Sequence, residues 1–101
     1  MSNYRESQVR IDEAEAALRD SDAERARTLY REAARLQRAF VDSLPSEQVR
    51  TRSIYGLSVA TLLYRAGDLE EVGRLAHQLL AEPWIEARAA AKLRELLNQA
   101  R

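Results

Sequence analysis

Leu18-Arg19-Asp20-Ser21-Asp22-Ala23-Glu24-Arg25-Ala26 and Tyr64-Arg65-Ala66-Gly67-Asp68-Leu69-Glu70-Glu71-Val72 are two versions of one signal. Each closes an apolar-periodic segment and opens another, with an acidic first turn and a small or branched apolar residue four places beyond the Asp. Outward from these turns the two halves stay in step. Ala14 corresponds to Ala60, Ala17 to Leu63, Glu24 to Glu70, Leu29 to Leu75 and Ala33 to Leu79. A helix-turn-helix unit that recurs in this way predicts an internal helical repeat.

Extended along the chain, the pattern predicts five helices. The first, Asn3 to Arg19, carries Ser7, Ile11, Ala14 and Leu18 on one face, with Val9 and Ala17 beside it. The second begins at an Asp22 (or Ser21) cap, whose side-chain oxygen satisfies a free amide while Glu24 meets the positive end of the helix dipole. Its core face reads Ala26, Leu29, Tyr30, Ala33, Leu36, Phe40 and Leu44 at the helical period, and Pro45 stops it. A third helix, capped by Ser46 and running to about Ala66, is apolar on most sides through Val49, Ile54, Leu57, Val59, Ala60, Leu62, Leu63 and Tyr64. Such a helix belongs at the centre of a domain. Gly67 is its expected left-handed C-terminal residue. The fourth helix runs from Asp68 to about Glu82, with Val72, Leu75, Ala76, Leu79 and Leu80 inward. Pro83 suits the first turn of a fifth, which carries Trp84, Ile85, Ala87, Ala90, Ala91, Leu93, Leu96 and Leu97. Short connections between helices make them antiparallel neighbours.

Composition agrees. With 46% hydrophobic and 32% charged residues over 101 positions, the chain fits one soluble globular domain, and three Gly and two Pro leave little to interrupt helices. No Cys is present, so thiolate chemistry and disulfides are excluded and a reducing, cytoplasmic setting is expected. The first residues run directly into charged helical sequence, which argues against a secretory signal, and no apolar run approaches the ~18 residues of a membrane span. The formal net charge is zero, so no global field favours nucleic acid or a membrane. Lys92 is the only Lys, an arginine bias that a GC-rich, bacterial coding sequence explains. Locally the charge alternates: the stretch to Asp22 and the stretch from Gly67 to Pro83 are net acidic, and the segments between and after them are net basic.

The signature resembles the tetratricopeptide repeat. Ala26, Tyr30 and Ala33 resemble the second-helix pattern of that family in the first unit, and Tyr64, Gly67 and Asp68 its turn in the second. Pro83 stands where a unit should end. The resemblance spans Val9 to Pro83 and implies an all-α, right-handed helix-turn-helix array. Unit one covers about 3–44, unit two about 46–82, and a capping helix about 83–100. The turns are 46 residues apart (Ser21 to Gly67) against a family period of ~34, so the middle helices are longer than the norm. Gly56 stands where a large aromatic is usual, and Arg10 and Glu13 stand at places that are usually apolar.

The resemblance further implies a concave face, formed by the first helix of each unit, that holds an extended peptide or a partner's helix. On this chain that face comprises Gln8, Ile11, Asp12, Glu15, Leu18 and Arg19, then Ile54, Leu57, Ser58, Thr61, Tyr64 and Arg65, then Ala87, Ala90, Ala91 and Arg94. The expected partner-binding set is Ile11, Glu15, Leu18, Ile54, Leu57, Thr61, Tyr64, Arg65 and Arg94. The Lys and Asn with which some family members grip a C-terminal carboxylate are replaced by Ile11, Leu57, Glu15 and Thr61, which argues against a chaperone-tail adaptor. The competing reading makes Ile11, Leu18 and Leu57 core of a bundle or a dimer seam. Because two repeat units are marginal, and the third helix has more apolar surface than two neighbours cover, association into a homodimer is expected.

Other chemistry is thinly represented. Arg27, Arg31, Arg35 and Arg38 form a stripe on the second helix that suggests phosphate tracking. It lacks interleaved aromatic residues for stacking bases, and a solvated face neutralised by Glu24, Glu32, Asp42 or the acidic first helix explains it better. His77, the only imidazole, stands mid-helix without a Cys, Ser or Asp constellation, so it reads as a structural residue rather than a general base. No spacing suits metal ligands, no Gly-rich loop cradles phosphate and no nucleophile elbow occurs. The expectation is a non-enzymatic module with no cofactor, a protein or peptide partner, and neither nucleic acid nor membrane as a partner. Trp84 reads as a plug sealing the fifth helix onto the third and fourth, and Tyr4 and Tyr55 as exposed contact residues.

Overall fold

A computed structural model describes residues 2–100. It is all-α, with five helices and no strand among the described residues: α1 (Asn3–Arg19), α2 (Ala23–Ser43), α3 (Val49–Arg65), α4 (Leu69–Leu80) and α5 (Ala87–Gln99). Consecutive helices pack against one another, and α5 also packs against α3. The helices α1, α3 and α5 therefore form one row, with α2 behind the first pair and α4 behind the second. The short dimension is 18 Å, about two helix diameters.

The two matched turns are the same structure. After α1, the Ser21 amide donates to the Leu18 carbonyl (3.0 Å) and the Asp22 amide to Ala17 (2.8 Å). After α3, the Gly67 amide donates to Tyr64 (3.0 Å) and the Asp68 amide to Leu63 (3.0 Å), the same partners shifted by the repeat. This pairing closes orphan carbonyls at a helix end and requires a left-handed residue. Gly67 takes it with φ 76° and Ser21 with φ 61°. Asp22 then caps α2, its Oδ1 accepting from the Arg25 amide at 3.1 Å. Because a side chain in the left-handed region is strained, Ser21→Gly is expected to raise stability by about 0.5–1 kcal/mol. Gly67→Ala is expected to lower it by about 1–2 kcal/mol. Its new Cβ also meets the Arg27 side chain at 3.3 Å. Thermal unfolding of both variants checks the pair.

Alanines bring α1 and α2 together. Ala14, Ala17, Ala26, Ala33 and Ala34 are all buried, with Leu29 and Tyr30 filling the space around them. Farther along, Val59, Ala60, Leu62 and Leu63 of α3 meet Val72, Leu75, Ala76 and Leu79 of α4, and Leu93 of α5 completes the core. The α1 face is narrower than its sequence pattern predicts: Ser7, Ala14 and Ala17 are buried, but Val9 and Leu18 are about half exposed. Arg10 and Glu13, the two departures from an apolar pattern, pair with each other at 3.0 Å, and Arg10 also reaches Glu32 at 3.7 Å.

Two helix starts differ from expectation. Ser46 does not cap α3. The chain makes a turn in which the Gln48 amide donates to the Pro45 carbonyl (3.1 Å), the Ser46 hydroxyl bonds the Glu47 carboxylate, and the helix begins at Val49. Nor does Pro83 open α5. Residues 83–86 form a loop pinned from α3: buried Ser53 Oγ accepts from the Glu86 amide (3.2 Å) and donates to the Trp84 carbonyl (3.4 Å). The Arg52 guanidinium lies 5.0 Å over the Trp84 ring while donating to the Leu44 carbonyl (3.0 Å) at the end of α2. Trp84 thus fastens the loop onto α3 from outside any helix. The fourth helix correspondingly stops at Leu80 rather than Glu82.

Candidate interaction groove

Tyr4, Ile11 and Leu18 recur every seven residues and so form one edge of α1. That edge faces α3, because Tyr4 meets the Tyr55 ring at 5.2 Å between centroids. Beyond this contact the two helices stand apart, with no Cα of α1 within 8 Å of a Cα of α3. A groove results, with α1 and α3 as walls and α2 as floor. Phe40 of α2 closes one end of it, 5.6 Å from Tyr4 and 5.2 Å from Tyr55. Tyr4 and Tyr55, expected to be exposed contact residues, are therefore partners in an aromatic cluster that ties three helices together. Their aromatic faces find one another because the aromatic positions of three different helices converge, which periodicity within one helix does not reveal.

The other end of the groove opens into a pocket of about 380 Å³ lined by Leu18, Ala23, Ala26, Arg27, Tyr30 and Arg65. The Arg65 guanidinium lies 5.8 Å over the Tyr30 ring. Of the residues expected to bind a partner, Leu18 and Arg65 meet here. Ala23, Ala26, Arg27 and Tyr30 were not among them, since Ala26 and Tyr30 read as core and Arg27 as part of an outer stripe. The exposed end of a core helix was the available signal.

The remaining expected residues divide into two groups. Ile54 is 50% exposed on α3, as Leu18 is on α1. Glu15, Arg65 and Arg94 are exposed as well. Ile11, Leu57 and Tyr64 are half-buried and pack against the core. Thr61 is also half-buried, and its hydroxyl donates to the Leu57 carbonyl at 3.0 Å. Arg94 stands on α5, away from the α1 wall. No carboxylate among the described residues lies within 4 Å of Arg27 or Arg65, and no cation lies within that distance of Asp12 or Glu15.

On the opposite face two of the stripe arginines are paired across to the fourth helix and its cap. Arg31 reaches Asp68 at 4.0 Å, and Arg38 reaches Glu71 at 3.8 Å and the Gln78 side chain at 3.5 Å. Two members of the arginine stripe are thus neutralised by α4 rather than by α1 or by their own helix. Arg74 pairs with both Glu70 and Glu71. A smaller cavity of about 170 Å³ lies between α2, α3, α4 and Trp84, above Gly56. His77 is exposed on α4. Among the described residues no group of three His, Cys, Asp or Glu is placed to hold a metal ion, and no helix is long and apolar enough to cross a membrane.

The aromatic cluster shifts the titration of Tyr55. The hydroxyl interaction with Tyr4, reinforced by burial, raises the Tyr55 phenol above the ordinary value of 10. A raised pKa favours the neutral phenol in the folded chain, so this contribution is complete below pH 10 and is lost as pH rises through the folded value. An absorbance titration should find one tyrosine ionising later than the others, and Tyr4→Phe should bring it back toward them.

Comparison with protein-family models, with curated proteins and with solved structures found no match to this chain. Fold and groove define its class: an all-α five-helix domain with one open, partly apolar face.

Proposed function

We propose that this chain is a non-enzymatic protein–protein interaction module, an adaptor or assembly subunit of the cytoplasm, that holds a partner helix or peptide in the α1/α3 groove. The observation that carries this reading is the pair Leu18 and Ile54, two large apolar side chains left half exposed on the groove. Exposed apolar side chains scattered singly need no explanation, but a groove that carries one toward either end, together with aromatic and arginine side chains, fits a binding face. The duplicated turns support a tetratricopeptide-like array, in which the row formed by α1, α3 and α5 would be the working surface. Pairing of Arg31 and Arg38 with α4 weighs against an arginine-stripe contact to nucleic acid.

Leu57 and Tyr64 pack on the core, so truncating them would confuse binding with folding. Leu18→Glu and Ile54→Glu avoid this, since exposed substitutions are expected to shift stability by no more than about 0.5 kcal/mol. Affinity capture with wild type and each variant as bait should recover a protein from wild type that both variants lose. Identical recoveries, with the variants folded by circular dichroism, would refute the groove.

A further inference from the structure

The pocket at the open end of the groove has a chemistry of its own. Its walls are apolar, with Leu18 on α1 and Ala23, Ala26 and the Tyr30 ring on α2, and its volume of about 380 Å³ is that of a small-ligand site. Its charged lining is Arg27 and Arg65, both exposed, and neither has a carboxylate within 4 Å among the described residues. The acidic residues of the neighbouring turn, Asp20, Asp22 and Glu24, do not line it, and Asp22 is engaged in capping the Arg25 amide. Ala23 opens α2, so the positive end of that helix dipole also lies at the pocket.

Both arginines are placed by contacts across the helices. Arg65 comes from the end of α3 and lays its guanidinium 5.8 Å over the Tyr30 ring of α2. Arg27 comes from α2 and runs along Gly67 in the turn after α3, where a Cβ would stand 3.3 Å from its Cδ. Tyr30 supplies a second, independent sign. It is 4% exposed, its hydroxyl makes no hydrogen bond among the described residues, and the oxygen is not sealed from solvent. A buried phenol normally finds a partner within the protein. The Tyr30 hydroxyl instead stands free to donate to a group in the pocket.

We propose that this pocket binds a small carboxylic acid with an aromatic or branched apolar body. The carboxylate pairs with the Arg27 and Arg65 guanidinium groups, whose planar donor forks match it, and accepts from the Tyr30 hydroxyl. The body lies on Leu18, Ala23 and Ala26. An acidic side chain of a partner protein fits less well, because its one or two methylene groups would leave most of the volume to water. Inorganic phosphate would leave the apolar floor uncovered.

Isothermal titration calorimetry of the full chain tests this, with phenylacetate and isovalerate as probes and acetate, phenylacetamide and inorganic phosphate as controls. At least one probe should bind saturably and roughly tenfold or more tighter than every control, since each control lacks the charge or the apolar body. Arg27→Gln and Arg65→Gln should each weaken it roughly tenfold or more, with the chain folded by circular dichroism. Tyr30→Phe should weaken it roughly two- to tenfold yet leave the melting temperature of the free chain unchanged, which a merely structural tyrosine would not do. Binding is read on the isolated chain, so it succeeds or fails independently of any captured protein. No saturation by either probe at millimolar concentration, a control bound as tightly as the probes, or indifference to both arginine variants would overturn the proposal. A wild type that ignores both probes but loses a captured protein with Arg27→Gln would also overturn it, and would assign the pocket to an acidic residue of that partner.

Discussion

Replacing Leu93 with alanine should cost about 3–4 kcal/mol, the transfer of the lost methyl groups plus the void they leave. Leu93 is completely buried and is the largest fully buried side chain. It lies where α5 meets α3 and α4, and α5 is held only by those two helices. Its neighbours cannot collapse freely into the space, because the loop before α5 is pinned at Ser53 and Trp84. For a domain of this size about 1 kcal/mol lowers the melting temperature by roughly 4–8 °C, so a fall of about 15–25 °C is expected. A urea-derived unfolding free energy lowered by less than about 1 kcal/mol would mean that α5 contributes little to the core.

Gly56→Leu should be nearly as damaging, for the opposite reason. A Cβ at Gly56 would stand 3.2 and 3.3 Å from the two δ carbons of Leu79, which fill the place where a larger side chain would otherwise stand. Alanine needs Leu79 to give by a few tenths of an ångström, and gains about 1 kcal/mol of helix propensity, so Gly56→Ala should be close to neutral. Leucine adds three more carbons, which must displace Leu79 before they reach the adjoining cavity of about 170 Å³, and should cost about 2–3 kcal/mol by overpacking. Chemical denaturation of the two variants side by side separates the propensity gain from the steric loss. Equal stabilities would show that α4 can step away from α3.

The same contrast explains which parts of the architecture were legible in the sequence. Ends governed by local chemistry read well, because backbone hydrogen bonds a few residues apart decide them: Asp22 caps α2 and Gly67 takes the left-handed position, whereas Ser21, the alternative cap, takes the left-handed position of its own turn instead. The starts of α3 and α5 did not read well. At Pro83 the local signal for a helix is overridden by contacts that Arg52 and Ser53, about thirty positions earlier, make to the residues just after it. The groove follows the same rule. Leu18 and Ile54 stand on the expected face because helical periodicity puts them there. The pocket floor of Ala26 and Tyr30 was hidden, since a core pattern does not reveal where the covering helix ends. The Tyr4–Phe40–Tyr55 cluster joins three helices and had no signal in any one of them.

If the α1/α3 groove is the working surface, contact with a partner should be confined to one face of the molecule. A photoreactive benzophenone side chain installed in the living cell in place of Ile54, on the groove, or of His77, on the outer face of α4, tests this directly. Both positions are exposed, so the fold should tolerate the probe. Crosslinking from position 54 to a second polypeptide, of this chain or another, with none from position 77, is the predicted result. Crosslinks from position 77 without any from position 54 would contradict the account.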